Sequence, residues 1–134
     1  MPISMAQLFD AMTKLRGSWP KRGWSWDNRF NAVASTFGID LVNEARASLA
    51  HALPNAWTDK TLATAPVVIQ EIAKKTGGVR AAQAIFGGEG VGRVQPYGLW
   101  WPWEEGRTIS MRVGLDNASQ DQIAQLCSIF GAEP

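Results

Sequence analysis

Ser18–Trp26, SWPKRGWSW, sets three tryptophans around Lys21 and Arg22. Basic side chains beside indoles can stack on bases or sugars, or make cation–π contacts. Trp19, Arg22, Trp24 and Trp26 are therefore candidate binding residues. The alternative is a loop folded back with its indoles over the core. Pro20 and Gly23 break any helix here, and so short a cluster has no spacing that a known chemistry requires. A second pair, Trp100 and Arg112, lies in Gln95–Leu115, QPYGLWWPWEEGRTISMRVGL. Trp and Arg are over-represented at binding hot spots. Trp100 is read as an anchor for a partner or ligand with Arg112 in diagonal reach, or else as an indole packed under another element.

Catalytic residue types are sparse. His51 and Cys127 are the only histidine and cysteine, and two such residues far apart cannot make a Cys/His zinc site. The twelve Asp and Glu are scattered, without the spacing of a calcium loop. No metal and no cofactor is expected, and no catalytic residue is assigned. His51 falls near the end of a predicted helix, where a cation suits the macrodipole. Cys127 falls on an apolar helix face, which argues for a buried, inert thiol. There is no G-x-S-x-G nucleophile turn. Glu104 and Glu105 are predicted at a turn tip, where carboxylates stay solvated. Gly87–Arg93, GGEGVGR, precedes a strand, whereas a phosphate-binding loop precedes a helix. A hinge or tight connector is its expected use.

These residues need elements to hold them. Tyr97–Trp103 and Thr108–Leu115 read as the arms of a β-hairpin, with Glu104-Glu105-Gly106 as a three-residue loop and Gly106 in the left-handed region. The predicted pairs are Trp101/Ile109, Leu99/Met111 and Tyr97/Val113, which share one apolar face. Gly98, Trp100 and Pro102 then share a mixed face with Thr108, Ser110 and Arg112. Pro102 cannot donate to a ladder, so the first arm is predicted to be an edge strand.

Helices are predicted for most of the rest. Ser4 and Gln7 form a capping box ahead of Met5, Leu8, Phe9, Met12 and Leu15, and Gly17 stops that helix. Asp27 is expected to cap a second helix with Phe30, Val33, Ala34 and Phe37 on one side. A third runs from Asp40 to Leu53. Residues 55–63 are a connector with Trp57 as a plug. Thr64 caps a fourth helix, and Val79–Phe86 is a short fifth. Asn117 or Ser119 caps the last, which Gly131 closes.

Ile69–Phe86, IQEIAKKTGGVRAAQAIF, resembles the opening of a bacterial helix-turn-helix domain, with a helix ending at Gly-Gly and an Ala-rich helix after it. The resemblance would imply DNA binding through a recognition helix placed next. GGEGVGRVQPYGLWW takes that place and is no recognition helix. With a net charge of +1, nucleic acid is not an expected partner.

A chain of 134 residues, 46% hydrophobic and 19% charged, is one globular domain. The start lacks the order of a signal peptide, and no apolar run could span a bilayer. The expected location is cytoplasmic, with no membrane partner. The expected fold is α+β: five to six helices packed on one face of a small antiparallel sheet centred on the hairpin. Residues 1–86 are its helical part, 87–93 its glycine-rich connector, 94–115 the hairpin and 117–131 the C-terminal helix. The expected function is a non-enzymatic interaction module, such as a small bacterial regulator, adaptor or immunity-type protein. It would engage a protein partner, or itself as a dimer, through an edge strand and exposed aromatics. The alternatives are a small-ligand binder with a cleft lined by Trp19, Trp24, Trp26 and Trp100, and an enzyme of unrecognised type.

Overall fold

The computed structural model of the chain describes residues 2–134. Its elements are α1 (Met5–Ser18), β1 (Ser25–Asp27), β2 (Ala32–Gly38), α2 (Val42–Leu49), β3 (Asn55–Thr58), α3 (Val67–Lys75), β4 (Ala84–Gly87), β5 (Gln95–Trp103), β6 (Thr108–Asp116) and α4 (Gln120–Phe130). The strands form one sheet in the order β1-β2-β6-β5-β4-β3. Each neighbouring pair is antiparallel. The class is α+β, with four α-helices among the described residues where five to six were expected.

The outer helices begin where local capping chemistry places them. Ser4 and Gln7 form a reciprocal capping box on α1, and Ser119 and Gln122 form another on α4. Gly131 closes α4 in the left-handed conformation. The fourth predicted helix is α3, which starts at Val67 with Pro66 at its N-cap. The third is shortened to α2, after a single 3-10 turn at Ile39–Leu41.

Two predicted helices are strands instead. Asp27 does cap, but it caps a turn: its Oδ1 accepts from the Arg29 backbone N–H at 3.0 Å. Beyond that turn Val33, Ser35 and Phe37 are buried while Thr36 is exposed, which is period two. Phe30, Val33 and Phe37 fit a helical period as well, so spacing alone misassigns them. Ala84–Gly87 is buried throughout, and a short buried run has no period to separate helix from strand. Residues 55–58, expected in a connector, form β3. The predicted helical part, 1–86, therefore supplies four of the strands.

The hairpin is present in a different register. Trp103 pairs with Thr108, so four residues turn the chain, and the ladder runs Trp101↔Ser110, Trp100↔Met111, Leu99↔Arg112 and Tyr97↔Gly114. A slip of one residue exchanges faces. Tyr97, Leu99 and Trp101 point to one side of the sheet, and Ile109, Met111 and Val113 to the other. Each side then needs a cover. Helices α1, α2 and α4 cover the Ile109–Met111–Val113 side, and α3 covers Tyr97, Leu99 and Trp101 from the other. The helices therefore lie on both faces, not on one.

The first arm is not an edge strand. β5 lies between β6 and β4, and the edges are β1 and β3. Pro96 and Pro102 flank Tyr97–Trp100, the span that pairs with β4. Their missing donors thus fall outside that ladder. The glycine-rich segment is a tight connector: a Cβ at Gly88 would overlap the Ala52 carbonyl oxygen.

Candidate functional site

The six sequence candidates separate onto the two sides of the sheet. Trp19, Trp24 and Trp100 are buried in the three-helix core, and half-buried Trp26 packs against it. The Trp19 and Trp24 rings lie 5.0 Å apart, and Trp24 meets Phe130 edge-on at 4.7 Å. Phe37 bridges Trp19 and Trp100 at 5.3 and 5.6 Å. Trp19 Nε1 donates to the buried Ser35 Oγ at 2.9 Å. These indoles tie α1, β2, β5 and α4 together. Arg46 lies over the Trp100 ring at 4.7 Å, where the expected register had set Arg112.

Arg22 remains exposed. With Arg16 and Lys21 it borders a depression of about 330 Å³ at the end of α1. Arg16 also approaches Gly131, which closes α4. Arg16 lies in the last turn of α1, where a cation offsets the partial negative charge of the unpaired carbonyls.

Arg112 lies on the α3 side. Its Nε donates to Asp27 Oδ2 at 2.7 Å, and its Nη1 donates to Ser110 Oγ at 2.7 Å. Its guanidinium stands 4.6 Å from the Trp101 ring centre and 5.4 Å from that of Phe30. Burial pushes the Asp27 carboxyl up. The Arg112 hydrogen bond, the Arg29 backbone N–H and the two guanidinium charges together outweigh it and hold Asp27 below the usual value.

The β1–β2 turn folds back over the sheet because Tyr97 holds it. The Tyr97 hydroxyl donates to the Phe30 carbonyl at 3.0 Å. The ring crosses its opposite neighbour Gly114, where a Cβ would lie 2.6 Å from the hydroxyl. Burial, with smaller contributions from Asp116 and Asp27, pushes Tyr97 up to about 12.

A groove of about 230 Å³ opens between this turn and the segment after α3. Trp101 and Trp103 line it, with Arg29 and Phe30 from the turn, and Arg80 and Gln83 from the segment. Phe30 meets Trp101 edge-on at 5.2 Å. The groove shares Arg29, Phe30 and Thr76 with a second depression of about 320 Å³ that reaches Asn117. No carboxylate lines the groove among the described residues. Arg29 and Arg80 form no ion pair among them, whereas Lys75 is held by Asp116 at 2.9 Å. Trp103 is 52% exposed.

Past Trp103 the chain turns at Glu104, Glu105 and Gly106, with φ of 52°, 59° and 88°. Gly106 adopts this region freely, but each glutamate there costs about 1–2 kcal/mol.

Aromatic faces and unpaired guanidinium groups recognise planar, apolar and anionic partners. Of the sequence candidates none lines the groove, and only Arg112 touches its walls, at Trp101 and Phe30. Arg29, Phe30, Arg80, Trp101 and Trp103 were missed. The alternation of Trp101 and Trp103 along one arm was the visible signal. His51 is exposed, and burial raises the Cys127 thiol above its ordinary value. Among the described residues no group of three His, Cys, Asp or Glu could hold a metal ion, and no helix is long and apolar enough to cross a membrane. Comparison with known proteins finds no family model, no curated protein and no solved structure that matches this chain.

Proposed function

We propose that this protein is a non-enzymatic interaction module, of the regulator, adaptor or immunity-protein kind, that docks a segment of a partner protein on Trp101 and Trp103. One observation carries the reading: a half-exposed tryptophan ends a groove that holds two unpaired arginines and no carboxylate. Trp and Arg dominate binding hot spots. The arginines favour an acidic segment, since a cationic one would meet like charge. A second depression shares Arg29, Phe30 and Thr76 with the groove and is lined further on by the paired Lys75 and Asp116, which leaves room for a longer segment. The Trp-lined cleft has less support, because Trp19, Trp24 and Trp100 are core residues.

Selection from a displayed random-peptide library tests this. Wild type should enrich peptides whose binding falls at least tenfold on Trp103→Ala and on Arg80→Glu. Enrichment of nothing, or of peptides indifferent to both substitutions, would sink the docking reading.

A further inference from the structure

The chain contains one segment with the chemistry this groove asks for. Trp103-Glu104-Glu105 joins an exposed indole to two exposed carboxylates. It lies at the mouth of the groove, because Trp103 belongs to both. It cannot bend back into its own groove, since Trp103 is fixed in the β5–β6 ladder opposite Thr108. A second copy can supply it.

We infer that the groove of one copy takes the hairpin tip of a second, in a two-fold dimer in which Glu104 and Glu105 meet the partner copy's groove arginines. The inference rests on the groove reading above. A two-fold contact requires a self-complementary patch. This patch carries both charges: Arg29 and Arg80 line the groove with Trp103, and Glu104 and Glu105 follow Trp103 directly at the hairpin tip. A two-fold axis near Trp103 brings the two indoles together and sets each tip against the opposite groove.

Two further observations fit. Glu104 and Glu105 both adopt the left-handed region, which turns the chain sharply at the tip, and Glu104 Oε2 accepts from Thr108 Oγ1 at 3.4 Å. Ile39, 59% exposed, donates its N–H to the Arg107 carbonyl at 2.9 Å and so sets an exposed apolar residue next to the tip. The tip also carries Arg107, so its balance is two carboxylates against one guanidinium. A patch this small gives a reversible dimer that salt weakens.

The test is mass by light scattering over a range of concentration at low and high salt. Three proteins are compared: wild type, a tip variant Glu104→Arg/Glu105→Arg, and a groove variant Arg29→Glu/Arg80→Glu. Circular dichroism melts confirm folding, and Arg80→Glu alone replaces the groove variant if the pair unfolds. Wild type should form a concentration-dependent dimer that high salt dissociates. Each variant alone should associate at least tenfold more weakly, and their equal mixture should recover a heterodimer. A wild type that stays monomeric overturns the inference. So does a dimer that neither variant weakens, or a mixture that stays monomeric. A monomer that still selects groove-dependent peptides removes the dimer and leaves the docking reading. A tip-dependent dimer that selects no peptides leaves the dimer and removes docking of a foreign partner.

Discussion

Arg112 on β6 reaches across β2 to donate its Nε to Asp27 on β1 at 2.7 Å. Both side chains are largely shielded, at 13% and 18% exposure. The pair anchors the edge strand and aims the guanidinium at Trp101 and Phe30. Asp27→Asn is expected to cost about 2 kcal/mol at neutral pH, the worth of a hydrogen bond to a charged group. The sign follows from the lowered carboxyl. Its stabilisation is present above the ordinary value of 3.8 and is lost as pH falls through the lower folded value. Chemical denaturation across the acid range checks this. The variant should lose less stability on acidification than wild type. Parallel acid limbs would contradict the assignment.

Tyr97 is the only tyrosine, so tyrosinate absorbance reports it alone. The midpoint is expected at about 12, against 10.0 for a free side chain. Between these values the unfolded chain gives up its proton and the folded one keeps it. Stability therefore falls as pH rises through that window, by about 3 kcal/mol in all. Tyr97→Phe should abolish this alkaline loss. It should cost about 1 kcal/mol at neutral pH, because the Phe30 carbonyl loses its donor. A titration near 10 in folded protein would show the hydroxyl to be solvated.

Tryptophan accessibility separates the two sets of indoles. Trp103 is half exposed, while Trp19, Trp24 and Trp100 are buried. Acrylamide quenching of wild type should have its largest component from Trp103, with smaller ones from the half-buried Trp26 and Trp57. Trp103→Phe should remove the largest component, while Trp24→Phe and Trp100→Phe should leave it in place. Quenching that Trp103→Phe leaves undiminished would mean that another indole forms the exposed surface.

Two glycines should respond in opposite ways to alanine. At Gly88 a Cβ would overlap the Ala52 backbone oxygen, which cannot swing aside like a side-chain end. Gly88→Ala is expected to destabilise by about 3 kcal/mol through overpacking. Gly17 is near the end of α1, with nothing within 4 Å of an added Cβ. Gly17→Ala is expected to stabilise by about 0.5–1 kcal/mol. Thermal melts of both variants decide it. A tolerated Gly88→Ala would return the segment to a hinge.

The parts legible in the sequence are those whose physics is local. Ser4 with Gln7, and Ser119 with Gln122, satisfy helix-end donors three residues away, so α1 and α4 could be placed from spacing. The hairpin was visible because its turn residues stand between two arms rich in strand formers. Its register was not visible. Pairing across a three-residue loop closed by Gly106 put Trp101 opposite Ile109, and the structure turns the chain with four residues and puts it opposite Ser110. Either register satisfies the backbone. The choice depends on what covers each face, and α3 and the three-helix layer come from distant parts of the chain.

The site follows the same division. The composition of Ser18–Trp26 marked its indoles as important, but only packing against Phe37 and Phe130 decided that Trp19 and Trp24 are core. The groove depends on contacts that span 67 residues, from Tyr97 to Phe30, and 85 residues, from Arg112 to Asp27. By itself the sequence determined the α+β class, the terminal helices and the existence of the hairpin, because short-range hydrogen bonds and turn conformations decide these. The tertiary structure alone decided the register, the faces and the groove. A shift of one residue moves every side chain to the other side of the sheet, and only the layers packed on both sides make one choice favourable.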